Sequence, residues 1–150
     1  MNIREKAIFI LKTLGQLFPE PHIPLAHGNP YTLLIAVMLS AQCTDSVVNK
    51  VSSMLFKLAD NPRSMALLSK EQITEIIRPC GLSNRKAGAI LATSILLVEK
   101  FGCCVPDTFE KLESLPGVGH KTASVVMAQA FNKAAFPVDT HIARLSLRWG

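Results

Sequence analysis

Hydrophobic residues recur along this chain at intervals of three and four, the spacing of one face of an α-helix. The pattern in residues 3–17 follows Asn2, a residue type that favours the position before a helix. A second helix is predicted from Asn29-Pro30 to about Gln42. Because this helix is almost wholly apolar, it should be the buried centre of a bundle. Further helices are predicted at 45–59, 70–78, 84–101, 108–113, 120–131 and from 139 onward. Strand patterns are almost absent, so the sequence predicts an all-α fold.

Composition and charge narrow the class of protein. The 150 residues are 49% hydrophobic and 18% charged, which excludes intrinsic disorder. Lys and Arg number 16 against 11 Asp and Glu, a net charge of +5, and most of this excess lies in residues 78–150. A mild basic excess suggests an anionic partner. We therefore expect any site for a polyanion mainly in the second half of the chain.

The four cysteines, Cys43, Cys80, Cys103 and Cys104, form no Cys-x-x-Cys pair and have no histidines at zinc-site spacing. No metal site is predicted within the chain. The longest apolar run, Leu33–Leu39, is too short to cross a bilayer, and the amino terminus lacks the features of a secretion signal. We expect a cytoplasmic protein without a membrane partner, whose cysteines pack as small hydrophobic residues.

The most informative segment contains the turn Gly117-Val118-Gly119 between two predicted helices, a hairpin at 108–131. Glycines allow positive φ and let a ligand approach the backbone closely. The unpaired N–H groups at the start of the second helix attract anions such as a DNA phosphate. An ordinary tight corner between helices, in which the glycines serve only geometry, explains the spacing about equally well.

Two residues at predicted helix starts carry possible chemistry. If a lysine such as Lys121 is buried at the positive end of a helix, its neutral form is favoured. A neutral amine can attack carbon and form a Schiff base. Asp139 can place a carboxylate in a cleft, where it stabilises positive charge or relays protons. From the residues alone, simpler roles are favoured: an exposed or phosphate-binding lysine and a helix N-cap aspartate.

Four separated motifs resemble those of the helix-hairpin-helix DNA glycosylases, the endonuclease III family in particular. They are, in chain order, Leu39-Ser40-Ala41-Gln42-Cys43-Thr44-Asp45, Gly81-Leu82-Ser83-Asn84-Arg85-Lys86-Ala87, Leu115-Pro116-Gly117-Val118-Gly119-His120-Lys121-Thr122-Ala123 and Val138-Asp139-Thr140-His141. The resemblance covers essentially the whole chain. It implies a multi-helix orthogonal bundle, with a helix-hairpin-helix domain at 29–131. Residues 1–20 and 137–150 would belong to an incomplete second domain.

The resemblance also implies base-excision repair of double-stranded DNA that contains a damaged base or an abasic site. An oxidised pyrimidine would be flipped out of the duplex. Lys121 would attack C1′ of its sugar, and β-elimination from the resulting Schiff base would nick the strand. Asp139 would stabilise the positive sugar and move protons.

Further residues would bind the DNA. Gln42 would fill the gap left by the flipped base, and Leu82 would hold the stack open as a wedge. The backbone of Gly117–Gly119 would bind phosphate, and Ser40 and Asp45 would border the pocket. If the chain does not bind DNA, Gln42 is a polar residue at a helix end, Leu82 is a half-buried leucine in a turn and Asp45 is a helix cap.

The cysteines differ from those of the family. Endonuclease III proteins typically continue beyond this point and carry four cysteines that ligate a 4Fe–4S cluster, whereas none of the cysteines here occupies those positions. We expect no cofactor ligated within this chain, a cluster only if the chain continues beyond residue 150, and a truncated second domain. The full-length protein is expected to be a monomer. The alternative to an enzyme is a non-catalytic helix-hairpin-helix DNA-binding module, and the pair Lys121 and Asp139 favours the enzyme.

Overall fold

The computed structural model describes all 150 residues as helices and their connections, without a strand. In chain order the helices are α1 (Ile3–Leu17), α2 (Pro30–Leu39), α3 (Asp45–Leu58), α4 (Pro62–Met65), α5 (Lys70–Ile77), α6 (Ser83–Lys100), α7 (Phe109–Glu113), α8 (His120–Phe131) and α9 (Thr140–Trp149), with a 3-10 helix at Arg78–Cys80. The predicted all-α class is confirmed. None of the helices has the length and apolar character needed to cross a bilayer.

The chain divides into two compact units, and the larger one comprises residues 24–137. Within it α6 packs against α4 and α5, and α2 packs against α3 and α8. The segment Leu33–Leu39 is buried along its whole length, with five of its seven residues at most 1% exposed. A helix that is apolar on every side must be surrounded by others. The prediction that this segment is the centre of the bundle is confirmed.

Helix starts in this unit follow from local side-chain chemistry. The side chains of Asn29 and Ser69 each accept the N–H of the residue three positions on, and that residue's side chain accepts the cap's own N–H. Helix α4 was not predicted from the sequence, because an Asn-Pro pair such as Asn61-Pro62 is typical of a break between helices. The Asn61 side chain accepts the Ser64 N–H at 2.9 Å and Pro62 takes the first helical position. The same two residues therefore end one helix and open the next.

The smaller unit consists of residues 1–23 and 138–150 and contains α1 and α9. Neither helix has a fully buried residue. The Lys6 ammonium donates a hydrogen bond to the carbonyl oxygen of Trp149 at 3.2 Å. On α9, Ile142 and Leu145 are half-buried, whereas Leu147 and Trp149 are 85% and 42% exposed. The apolar stripe of α9 is therefore only partly covered.

Candidate nucleic-acid interface

The turn between α7 and α8 requires glycine at position 117. The N–H of Val118 donates to the carbonyl of Leu115 at 3.1 Å, and Pro116 and Gly117 form the middle of this tight turn. Gly117 has a φ of +76°, which is strained for any residue with a side chain. A Cβ at this position would lie 2.7 Å from the Cβ of Ala89 on α6. Both the backbone angle and the packing therefore exclude a larger residue.

Gly119 is not required by either of these constraints. Its φ is −92°, so it does not use the positive angle that the sequence analysis attributed to the glycines. A Cβ added there would meet no atom within 4 Å. As the N-cap of α8 it provides no side-chain hydrogen bond, although Ser, Thr, Asp or Asn would stabilise the helix better. The missing side chain leaves open space beside the start of α8.

The backbone N–H groups of Gly117 and Gly119 have no acceptor within the chain. Val118 differs, because its N–H closes the turn onto Leu115 and its side chain is only 5% exposed. The expectation that all three turn residues present free N–H groups is thus wrong at Val118, which anchors the turn in the core. The free N–H groups of this turn are those of the two glycines, next to the positive end of the α8 dipole.

Lys121 lies in the first turn of α8 and its side chain is exposed, without a hydrogen bond or an ion pair. The exposed lysine that the residues alone favoured is the arrangement observed, and the burial that would favour a neutral amine is absent. The reason is its position on the helix: Ala123 and Ser124 face the core, whereas His120 and Lys121 face outward. The primary amine stands available beside the glycine turn.

His120 links the two helices of the hairpin on the outside of the turn. Its ring stacks on Phe109 of α7 with a centroid distance of 5.1 Å, and its Nδ1 lies 2.5 Å from Oε1 of Glu113. Both contacts direct the imidazole toward α7. The imidazole therefore does not obstruct the neighbouring Lys121.

A cavity of about 240 Å³ lies beside the hairpin turn within the larger unit. Six of its lining residues come from three of the four motifs: Ala41, Gln42, Leu82, Arg85, Lys86 and Gly117, and Met38 and Ala89 complete the lining. The structure thus brings together Gln42, Leu82 and Gly117, which are far apart in the sequence. Ser40 and Asp45 are not among the lining residues. The Ser40 hydroxyl donates to the Val37 carbonyl at 2.7 Å, and Asp45 is exposed at the start of α3.

Gln42 and Leu82 share an unusual backbone conformation. Their φ angles are +53° and +49°, in the left-handed region that costs a residue with a side chain about 1–2 kcal/mol. Both side chains are exposed, Leu82 at 51%. Strained residues persist only where the surrounding structure over-determines them, and they concentrate at functional sites. Two such residues at one cavity mark it as a candidate binding surface.

Lys86 lies within the second motif but was not among the residues predicted to bind DNA or to act in catalysis. The buried positions of α6 recur at helical spacing: Lys86, Ala87, Ile90, Thr93, Ser94 and Leu97. A lysine within the buried stripe of a helix is rare, because burial of an ammonium group is costly. That position in the stripe is the sequence signal that could have identified it.

Asp139 lies in the smaller unit at the start of α9. Its Oδ1 accepts the N–H of Ile142 at 2.8 Å, and its Oδ2 lies 3.3 Å from Nδ1 of His141. The predicted N-cap role is confirmed. Its role in the chemistry, and its placement in one cleft with Lys121, stay predictions.

Comparison with protein families agrees with the DNA-binding role that the hairpin geometry suggests. Residues 35–150 match the model of the HhH-GPD superfamily of base excision DNA repair proteins. The chain belongs to this superfamily.

Within the HhH-GPD superfamily the chain is similar to endonuclease III. It is 47% identical to endonuclease III of Treponema pallidum over 141 residues, which cover 94% of this chain and 67% of that protein. It is 42% identical to the Bacillus subtilis protein over 142 residues, covering 95% and 65%. A solved structure of a trapped endonuclease III–DNA covalent intermediate matches with a TM-score of 0.91 and 41% identity, covering 97% of this chain and 68% of that one. The chain thus spans about two thirds of the length of these relatives.

The iron–sulfur cluster that the endonuclease III resemblance implies does not fit the residues of this HhH-GPD chain. No group of three or more His, Cys, Asp or Glu side chains is placed to hold a metal ion. Cys80 is buried beside α6, Cys104 is exposed, and the other two are half-buried. Four spaced thiolates converging on one point are needed for such a cluster. The four cysteines of this chain do not provide such a set.

Proposed function

We propose that this chain is a bifunctional DNA glycosylase that removes oxidised pyrimidines from duplex DNA and nicks the abasic site. One observation carries the proposal: the exposed, unpaired amine of Lys121 directly follows a turn in which the N–H groups of Gly117 and Gly119 have no acceptor. A phosphate bound by these N–H groups would hold the attached sugar near the amine. The likeness to a trapped endonuclease III–DNA covalent intermediate supports this assignment.

Lys121 would act as the nucleophile. Its neutral amine attacks C1′ of the damaged nucleotide, and the bond between C1′ and the base breaks as the base leaves with the electron pair and takes up a proton. The sugar ring then opens to a Schiff base between Lys121 and C1′. Loss of a proton from C2′ breaks the bond between C3′ and its oxygen, and this β-elimination nicks the strand. Water finally hydrolyses the Schiff base and frees the lysine.

Asp139 would supply the negative charge for these steps. A carboxylate near the sugar stabilises the positive charge that develops at C1′ as the base departs. It can also accept the proton that the attacking amine must lose. Its N-cap hydrogen bond to the Ile142 N–H uses one carboxylate oxygen and holds the side chain in a fixed rotamer.

Gln42 and Leu82 would maintain the opened duplex. When a nucleotide rotates out of the stack, the vacated space must be filled or the stack closes again. A polar side chain can pair with the orphaned opposite base, and an apolar one can separate the neighbouring bases. Both residues are exposed beside the same cavity, which supports their acting together.

A second function, a DNA-binding hairpin without catalysis, is favoured by the same free N–H groups of Gly117 and Gly119. A phosphate-binding turn alone requires neither an adjacent free lysine nor a separate carboxylate. The two functions therefore differ in whether the chain cleaves the DNA strand, a reaction that would depend on Lys121 and Asp139.

Strand nicking of a duplex oligonucleotide with one thymine glycol tests the proposal. The unmodified chain should cleave at the lesion, and Lys121→Gln should abolish cleavage while retaining DNA binding. Asp139→Asn is the informative partner variant, because asparagine also caps helices but carries no charge. It should fold normally and lose most activity. Binding without cleavage by the unmodified chain would select the non-catalytic module instead.

A further inference from the structure

The ammonium group of Lys86 on α6 is buried without a carboxylate partner. The residue is only 7% exposed, and it takes part in no ion pair. Its Nζ donates to three carbonyl oxygens, those of Leu39 at 2.9 Å, Ala41 at 2.7 Å and Cys80 at 3.2 Å. An ammonium group has three N–H donors. All three are therefore used on the protein backbone.

The three carbonyls belong to two separate segments of the chain. Leu39 is the last residue of α2, and Ala41 directly precedes Gln42. Cys80 ends the 3-10 helix, two residues before Leu82. Carbonyls at a helix end lack partners within the helix and carry partial negative charge, so a cation there is favourable. The Lys86 side chain thus joins the turn that carries Gln42 to the turn that carries Leu82.

The backbone of Lys86 holds the same turn a second time. Its N–H donates to the carbonyl of Leu82 at 2.9 Å and closes the first turn of α6. Lys86 therefore fixes the left-handed backbone of Leu82 in two ways. Its backbone N–H holds the Leu82 carbonyl, and its side chain holds the carbonyl of Cys80, two residues earlier. Such over-determination is what allows strained residues to persist.

An apolar residue at position 86 would not replace the lysine. An apolar side chain could pack this stripe of α6 without the cost of burying a charge. It would, however, leave the carbonyls of Leu39, Ala41 and Cys80 without their donor. The lysine therefore holds the two turns in this particular arrangement.

We propose that Lys86 is a positioning residue that holds Gln42 and Leu82 at a fixed separation, so that both side chains enter the damaged duplex as one preorganised unit. This inference rests on the proposed function, because it takes the two turns to be the DNA-inserting ones. Preorganisation raises affinity by lowering the cost of ordering on binding. The effect is confined to duplexes that open at a lesion, since the N–H groups of Gly117 and Gly119 bind phosphate independently of it.

The test compares Lys86→Met, Lys86→Arg and a control variant, Lys100→Met, which removes an exposed lysine from the same helix. Binding is measured to a duplex with a tetrahydrofuran abasic-site analogue and to the same duplex undamaged. A 2-aminopurine opposite the analogue reports unstacking by its fluorescence. Lys86→Met should weaken binding to the analogue duplex by about tenfold or more and reduce the fluorescence rise, with undamaged binding unchanged. Lys86→Arg should recover part of both, and Lys100→Met should match the unmodified chain.

The outcomes separate this inference from the proposed function. If the unmodified chain binds both duplexes equally, the proposed function is rejected and this inference with it. If it prefers the analogue and Lys86→Met keeps that preference and the fluorescence rise, the positioning role is rejected alone. Equal loss of affinity for both duplexes also rejects it, because that is the signature of a structural defect. Should Lys86→Met not fold, Lys86→Arg decides: a lowered preference supports the role, and an unchanged one overturns it.

Discussion

Replacing Gly117 by alanine should destabilise the fold, whereas the same replacement at Gly119, the other glycine of the hairpin turn, should not. The left-handed backbone at φ +76° costs an alanine about 1–2 kcal/mol. The added Cβ would lie 2.7 Å from the Cβ of Ala89 and 3.2 Å from Cε of Met38. Forcing a methyl group into such a space costs about 1–3 kcal/mol, although the methionine end can move. Alanine loses less entropy on folding, which offsets about 0.4–1 kcal/mol of this.

The net expectation for Gly117→Ala is a loss of about 1–5 kcal/mol in the free energy of unfolding. The matched control is Gly119→Ala, at φ −92° with no atom within 4 Å of the new Cβ. Its free energy of unfolding should stay within about 1 kcal/mol of the unmodified chain. DNA binding should nevertheless weaken, since the methyl group stands beside the free N–H groups. The control therefore loses function without losing stability.

Urea unfolding followed by far-UV circular dichroism measures both variants, because the fold is helical and its signal is lost as the bundle opens. Fluorescence anisotropy with a labelled duplex measures binding. The reasoning is refuted if Gly117→Ala is as stable as the unmodified chain, or if the two variants lose equal stability. Unimpaired DNA binding by Gly119→Ala would remove the phosphate-binding role of the turn.

Two further predictions concern the turns beside the cavity. Leu82→Asn should be more stable than Leu82→Ala by about 0.5–1 kcal/mol in urea unfolding, because asparagine tolerates the left-handed backbone better than alanine. This order is expected although alanine is the more apolar residue, and the reverse order would contradict the backbone strain assigned to Leu82. Burial, assisted by a hydrogen bond with Cys43, raises the pKa of the Cys80 thiol to about 11. Because the pKa of the Cys80 thiol is higher in the folded chain than in the unfolded chain, the neutral buried thiol favours the folded state. This stabilisation is full below the ordinary thiol pKa and is lost as the pH rises through 11. At pH 8 iodoacetamide should therefore modify the exposed Cys104 first and Cys80 last by peptide mass mapping, and simultaneous modification would show that Cys80 is accessible.

Most of the fold is predictable from the sequence because its helices begin with local chemistry. Asn29 before Pro30 and Ser69 before Gln72 are capping patterns that lie within a few residues of one another. The burial of Leu33–Leu39 follows from the absence of any polar face. No long-range information is needed for either inference.

The site is predictable only in part, because its geometry depends on contacts between distant segments. Local preference disfavours a left-handed backbone at Gln42 and Leu82, so no sequence pattern indicates it. The three carbonyls that Lys86 joins lie up to 47 residues away from it along the chain. The exposure of Lys121 depends on which side of α8 packs against the bundle. These features arise from packing and not from local propensity.

The reaction at Lys121 is tested most directly by borohydride reduction during incubation with a duplex that contains an abasic site. Reduction converts a Schiff base into a stable bond, so the protein should become covalently attached to DNA, and proteolysis with mass spectrometry should place the DNA on Lys121. Lys121→Gln should form no adduct, whereas Lys100→Gln, which removes another exposed lysine of the larger unit, should form it normally. An adduct of undiminished yield with Lys121→Gln, or none with the unmodified chain, would contradict the assignment of Lys121 as the nucleophile.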